Sequence, residues 1–306
     1  MENDFHQWLQ TNINTSDLIV PLGDDAAVID WSKHDNCVVT SDLLADGVHF
    51  DLREATAHRI GRKCLAVNLS DVAAMAATPI AAVVSFLLPK DTTPSVDRLA
   101  EQLLEGMIPL AKEFKTTIAG GDTNVWPGKL AVNVTMLAAT GPSGALRRDQ
   151  AQRGDLVMVT GSLGGSILGH HFDFQPRVTE ARKLHEHYKL TAGMDVSDGL
   201  ALDASRMAQA SGCGIELDLD AIPISEAAQS MAAKDGRKSA LQRALGDGED
   251  FELLFTANPE DAQQIVADQM LDVPVTIVGR CIEIEGLYQS TDAGPKPLEI
   301  SGWEHG

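Results

Sequence analysis

Between residues 95 and 115 the side chains Leu99, Leu103, Met107, Leu110 and Phe114 recur at steps of three and four. That spacing puts them on one face of a 3.6-residue helix. Pro109 falls inside the run and predicts a kink or a break, because proline lacks the backbone donor and crowds the preceding turn. Apolar runs of strand length flank it: residues 80–88, stopped by Pro89, then 116–119 and 130–140. Earlier, residues 56–77 carry Ile60, Cys64, Val67 and Met75 at helical steps and close on Pro79. Residues 38–42 form a β-branched run that delivers Asp42 at its end. Apolar helix faces of this kind must lie on a sheet or on each other, so the first half reads as mixed helix and strand.

The loop-like stretch Gly141-Pro142-Ser143-Gly144 is the best boundary, giving domains 1–141 and 142–306. Beyond it a strand at 155–160 runs into the glycine-rich turn Gly161-Ser162-Leu163-Gly164-Gly165. Helices are expected near 176–188, 199–210, 225–234, 238–245 and 259–271, with strands near 214–219, 251–256 and 276–280. The expected class is two domains of α+β or α/β type.

Six motifs place Asp beside small, hydroxyl or amide residues at strand ends or helix starts. They are Gly23-Asp24-Asp25, Thr40-Ser41-Asp42 with His49 beyond it, Asn68-Leu69-Ser70-Asp71, Gly120-Gly121-Asp122-Thr123, Asp195-Val196-Ser197-Asp198-Gly199 and Gly246-Asp247-Gly248-Glu249-Asp250. Hard cations such as Mg²⁺ take carboxylate, hydroxyl, phosphate and water oxygens, and glycine lets the backbone approach a phosphate closely. Asn68 and Asp71 stand at i and i+3 on one helical face, with Met75 a turn further on. Each motif alone also fits ordinary turn chemistry, and Ser197-Asp198 fits a helix N-cap.

The chain has 44 acidic and 24 basic residues, a net charge of −20, which repels nucleic acid and anionic membranes. An anionic substrate on such a surface calls for metal ions in between. No apolar run reaches the roughly 20 residues of a membrane span, and the N-terminus lacks the pattern of a signal peptide. A cytoplasmic protein without nucleic-acid or membrane partners is expected. Cys37, Cys64, Cys213 and Cys281 form no CxxC pair and read as core residues. His170-His171 and His185-Glu186-His187 read as surface histidines, and no GxxxxGK[ST] loop is present.

In this order, the motifs resemble the thiamine-monophosphate kinase family, within the superfamily of aminoimidazole ribonucleotide synthetase. Residues 66–75, Ala-Val-Asn-Leu-Ser-Asp-Val-Ala-Ala-Met, are the most discriminating piece. The resemblance implies a two-domain aminoimidazole ribonucleotide synthetase-like fold. Its N-terminal mixed-sheet domain binds ATP and Mg²⁺ and dimerises, and its C-terminal domain is α/β. It implies direct transfer of the γ-phosphoryl group of ATP to thiamine monophosphate, the last step of thiamine diphosphate biosynthesis, by a homodimer using several Mg²⁺ ions. Carried over by position, Asp25, Thr40 or Ser41, Asp42, Asp71, Asp122, Asp195 and Asp198 are metal and catalytic positions. Gly121, Asp122, Arg148 and Ser197 are nucleotide positions; His49, Glu249 or Asp250, and Trp303 belong to the substrate end. Trp303 suits stacking on a cationic or aromatic ring, or closing the C-terminal core.

Two departures touch that substrate end. Asp247 stands where the family more often has a second glycine, and the C-terminal segment after Ser301 is short. The acceptor is itself a phosphate, already ionised near neutral pH, so no proton-abstracting residue is required and the work is positioning and charge neutralisation. Rival expectations are another ATP-using member of the superfamily and a non-catalytic acidic metal-binding protein.

Overall fold

The first 140 residues alternate strand-forming and helix-forming runs, and the structure stacks them as a sheet with helices on one face. The computed structural model describes residues 2–20, 26–300 and 302. By contact it comprises two compact units, one of residues 1–72 and 78–140 and the other of residues 73–77 and 141–306.

The first unit contains α1 (Glu2–Asn12), the short pair β1 (Leu18–Val20) and β2 (Val28–Ile29), β3 (Cys37–Ala45), α2 (Ala57–Ala74), β4 (Thr78–Pro89), α3 (Val96–Glu113), β5 (Thr117–Trp126) and β6 (Ala131–Ala139). Its main sheet has the order β3-β6-β4-β5. β4 and β5 are parallel, joined through α3, and the other pairs are antiparallel. Alternation along each strand sorts the side chains. Val84, Phe86, Leu88, Val132, Val134 and Met136 are buried, in the layer with Ile60, Leu65 and Leu69 of α2 and Leu99, Leu103 and Met107 of α3. Gly61 and Gly106 allow the two helices to touch: a Cβ at either would lie about 2 Å from a carbonyl oxygen of the other helix, Leu103 and His58 respectively.

The opposite face of this sheet is open. Val39 and Leu43 of β3 are each 61% exposed, and Val83 of β4, two strands across, is exposed on the same face.

The second unit contains β7 (Leu156–Thr160), a short 3-10 turn (Ser166–Leu168), α4 (His170–Asp173), α5 (Val178–His187), β8 (Leu190–Asp195), α6 (Leu200–Ser211), β9 (Gly214–Leu217), α7 (Glu226–Asp235), α8 (Ala240–Gly246), β10 (Leu253–Ala257), α9 (Pro259–Asp268), β11 (Val275–Ile282), β12 (Gly286–Gln289) and β13 (Lys296–Pro297). Its seven-stranded sheet has the order β13-β12-β9-β11-β7-β10-β8, antiparallel except for β12 with β9. Its core joins Val157 and Val159 of β7 to Leu200, Ala204 and Met207 of α6. Local chemistry fixes several helix starts. Ser225 and Ser239 accept from the Ala228 and Gln242 N–H groups, and Asn258 caps α9 just ahead of Pro259.

Several expectations change. Helix α3 runs unbroken through Pro109. Helix α2 stops at Ala74, and Ala76 has φ +50°, so Met75 leaves the Asn68–Asp71 face. β3 continues past Asp42 to Ala45, placing Asp42 inside the strand, and β5 runs on to Trp126, placing Gly120 to Thr123 inside it. Cys37 is exposed, because it starts the outermost strand of its sheet, whereas the other three cysteines are buried. Ser197 and Asp198 do not cap α6 with their side chains. Instead Asp203, in its first turn, accepts from both of their N–H groups at 3.0 and 2.9 Å.

Candidate active site

Four of the six acidic motifs gather in two places, two motifs in each unit. In the first unit, strand alternation directs Thr40 and Asp42 of β3 toward α2, where Thr40 Oγ1 donates to Asp71 Oδ2. Burial, with the charge of Asp71 added to it, pushes the Asp42 carboxyl up to about 7. Among the described residues Asp42 Oδ2 is buried without a hydrogen-bond partner, and so is Asn68 Oδ1, a turn before Asp71 on α2. Asn68 Nδ2 is satisfied by the Cys64 carbonyl at 3.1 Å, which leaves the amide oxygen as the free end. Asp42 Oδ2 and Asn68 Oδ1, buried without a partner among the described residues, are costly unless a ligand or an ion meets them.

Sequence reading missed Lys63. Its side chain is fully buried, and Nζ donates to the His49 carbonyl at 2.8 Å. His49 Nδ1 in turn accepts from the Ala45 N–H at 3.1 Å. The loop after β3 is thereby fastened at His49. The helical repeat of α2 assigns Lys63 to no special position, so no pattern could have found it.

The register separates the remaining first-unit candidates. Asp42 pairs with Val134, which pairs with Val84, which pairs with Gly121: this row faces the helices. Asp122 instead lies across from Ser85, which pairs with Asn133 and so with Leu43 on the open face. Ser41 also faces that way, its hydroxyl 2.8 Å from Thr135 Oγ1 and accepting from Asn133 Nδ2 at 3.1 Å. Asp122 is exposed and accepts from the Thr123 N–H and from Asn124 Nδ2, both at 2.9 Å. Gly121 must be glycine, since a Cβ there would sit 1.7 Å from the Val84 carbonyl oxygen. Asp25 and Trp303 lie outside the described residues.

In the second unit, Asp195 ends β8 and is buried. The segment that follows is fastened to the loop after α8. The Val196 N–H donates to Glu252 O, the Phe251 N–H to Val196 O, and the Glu249 N–H to Ser197 O at 2.7 Å. Ser197, Asp198 and Glu249 are thus brought together. Asp198 is paired with Arg206, which also holds Asp203 at 2.9 Å, and burial pushes the Asp203 carboxyl up to about 6. Arg148 is exposed in the loop before β7, and its carbonyl accepts from Ser211 Oγ at 3.0 Å.

Glu249 and Asp250, equivalent in sequence, differ in place. Asp250 is 1% exposed, and Oδ1 accepts from the Gly164 N–H at 2.8 Å, pinning the glycine-rich turn. Burial holds its carboxyl well above the usual range, and Oδ2 has no partner among the described residues. The Glu249 side chain is 32% exposed and paired with His171. Glu249 and Phe251 adopt φ +55° and +51°, left-handed values that non-glycine residues reach only where the surroundings enforce them. That conformation delays β10 to Leu253 rather than Phe251. His171, expected on the surface, is buried.

Residues 23–140 match the family described as AIR synthase related protein, N-terminal domain, and residues 150–286 match the corresponding C-terminal domain. The thiamine-monophosphate kinase of Rhodopirellula baltica is 41% identical over 297 residues, spanning 94% of this chain and 92% of its own length. The crystal structure of thiamine-monophosphate kinase from Stenotrophomonas maltophilia superposes with a TM-score of 0.79 at 33% identity, covering 95% of this chain and 96% of that one. The structure of AaThiL complexed with AMPPCP and TMP superposes with a TM-score of 0.77 at 27% identity, covering 99% of this chain and 95% of that one.

Proposed function

Because the chain belongs to the thiamine-monophosphate kinases of the AIR synthase related family, we propose that it transfers the γ-phosphoryl group of ATP to thiamine monophosphate, yielding thiamine diphosphate and ADP. ATP is the co-substrate. A terminal oxygen of the acceptor phosphate forms the new P–O bond, and the bond from the γ-phosphorus to the β–γ bridging oxygen breaks. The attacking oxygen is ionised near neutral pH, so no side chain has to remove a proton.

The observation that carries the reading is the partly buried oxygen cluster of Thr40, Asp42 and Asp71, in which Asp42 Oδ2 has no hydrogen-bond partner among the described residues, on a chain whose substrates are both polyanions. Among the described residues no three acidic, His or Cys side chains converge on one point. Mg²⁺ needs no such group, since it typically takes one or two carboxylates and completes its shell with phosphate oxygens and water. Thr40, Asp42 and Asp71 would hold such an ion, with Asp25, Ser41, Asp122, Asp195 and Asp198 as further positions. A magnesium ion there supplies charge neutralisation for the phosphates. Ser197, Gly121 and Arg148 are assigned to the nucleotide, and His49, Glu249 and Trp303 to the thiamine end. The assignment is tested by ADP release from ATP and Mg²⁺ with thiamine monophosphate, thiamine or an aminoimidazole precursor supplied separately. Turnover with thiamine monophosphate alone is expected; turnover only with the precursor would point to another branch of the superfamily.

The second copy of this chain is the proposed partner of the open sheet face. Val39, Leu43 and Val83 are exposed apolar side chains on this face, interspersed with the polar Ser41, Asn133 and Thr135, and no helix of the first unit among the described residues covers them. Residues 1–141 would then carry dimerisation and residues 142–306 the α/β partner domain. Leu43→Lys is expected to shift the protein from dimer to monomer in sedimentation velocity. An unchanged mass with Leu43→Lys and Val39→Lys combined would rule this face out. No helix among the described residues is long and apolar enough to cross a membrane.

A further inference from the structure

We infer that His171 is a positioning residue for substrate recognition: its buried imidazole fixes the Glu249 carboxylate so that it meets the amino-bearing, cationic organic end of the acceptor. The inference rests on the assignment of Glu249 to the thiamine end and adds the group that aims it.

His171 Nδ1 lies 3.2 Å from Glu249 Oε2. An ionised carboxylate only accepts, so the hydrogen of this contact is on Nδ1. The ring is 5% exposed and packs on Phe172 with centroids 4.1 Å apart, so it is fixed in place. It lies in α4, and Phe174, which ends that helix, stacks on Phe251 at 4.2 Å. The helix carrying the imidazole is thus docked on the segment carrying the carboxylate.

The backbone of that segment is held separately. Ser166 Oγ donates to Gly248 O at 2.6 Å, and the Glu249 N–H donates to Ser197 O at 2.7 Å. These contacts enforce the left-handed turn and place Glu249 beside the Ser197–Asp198 loop, and all of them are made by the backbone of the segment. His171 acts on the side chain itself. A flexible, one-third exposed carboxylate loses rotamer freedom when it binds a ligand, and an anchor that has already removed that freedom strengthens binding. Thiamine monophosphate offers such a carboxylate an exocyclic amine on its pyrimidine and a positive charge on its thiazolium.

The test is steady-state ADP release by the full chain with Mg²⁺, varying thiamine monophosphate and ATP in turn, for Glu249→Gln, His171→Phe, His171→Gln and the double variant His171→Phe/Glu249→Gln. Glu249→Gln and His171→Phe are each expected to raise the KM for thiamine monophosphate on the order of tenfold, leaving the KM for ATP within about twofold. His171→Gln, which keeps an N–H donor, should recover most of the loss. The double variant should be no worse than Glu249→Gln alone, as residues acting through one contact are not additive. If Glu249→Gln raises that KM and neither His171 variant does, the positioning role is wrong and the substrate assignment stands. If Glu249→Gln leaves it unchanged, both fall. Should His171→Phe fail to fold, His171→Asn, too short to reach the carboxylate, replaces it with the same two outcomes.

Discussion

Asp42→Asn is expected to lower turnover by on the order of 10²–10³-fold while raising the melting temperature of the metal-free protein. The carboxylate sits inside β3 against α2, close to Asp71, and its carboxyl is pushed up to about 7 by burial first and the Asp71 charge second. A carboxyl whose folded-state value exceeds its unfolded one binds more protons when folded, so its contribution to stability falls as pH rises, here between about 4 and 7. Above that window the ionised group opposes folding, by on the order of a few kcal/mol. An amide has the same shape and no charge, so it removes this opposition together with the metal ligand. Wild-type protein in a chelator should therefore melt lower at pH 8 than at pH 5.5, relative to Asp42→Asn. Adding Mg²⁺ should stabilise the wild type and leave the variant nearly unchanged. Scanning calorimetry with chelator and with Mg²⁺, alongside ADP release, measures both halves. Retained turnover, or a variant that Mg²⁺ stabilises as well as wild type, would remove Asp42 from the metal set.

Glu252→Ala is expected to be the most destabilising change in the second unit, costing about 3–5 kcal/mol. Arg177 grips Glu252 with a two-pronged contact, Nε to Oε2 at 2.7 Å and Nη2 to Oε1 at 2.5 Å, and both side chains are largely buried. Thr160 Oγ1 donates to Glu252 Oε2 at 2.5 Å and accepts from the Leu253 N–H at 2.9 Å, tying β7 to β10. Removing the carboxylate takes the two-pronged partner from a buried guanidinium, leaving it Glu180 Oε1 at 3.7 Å, and the acceptor from a buried hydroxyl. Arg177→Met combined with Glu252→Leu should recover part of the loss, because the buried guanidinium is gone and the charge left behind, that of Glu180, was its longer-range partner at 3.7 Å. Denaturant unfolding of the single and double variants measures the coupling, and additive losses would show that the pair does not act as a unit. Glu252 also leads out of the Glu249–Phe251 turn, so Glu252→Ala should raise the KM for thiamine monophosphate as the turn loosens.

The elements legible in the sequence were those whose signal is periodic. The helix around Leu103 and Met107, the apolar strand ending at Pro89 and the glycine-rich turn after Thr160 could be read because one buried face repeats along the chain. Pro109 does not break its helix, because proline within a long, well-packed helix is tolerated when packing outweighs the lost hydrogen bond. The candidate site was legible as a list of acids and not as an arrangement. Ser41 and Asp42 are neighbours in a strand and must face opposite ways, which period two already dictates. Whether Asp122 shares a face with either depends on which residue of β4 it meets, and a register irregularity between Ala82 and Val83 settles that.

Sequence alone determined the family, the alternation of elements and the acids that a phosphoryl-transfer site requires, because these are carried by residue type and local spacing. Tertiary structure decided which acids are exposed, paired or uncompensated. Asp198 meets Arg206 eight residues on, Asp250 turns inward to a glycine N–H while Glu249 stays open, and a histidine in a four-residue helix too short to show a period becomes the anchor of that carboxylate. The physical reason is that burial and charge pairing are properties of neighbours in space. The scattered aspartates differ because β3 and α2 close over Asp42 and Asp71 and leave Asp122 in the light of solvent.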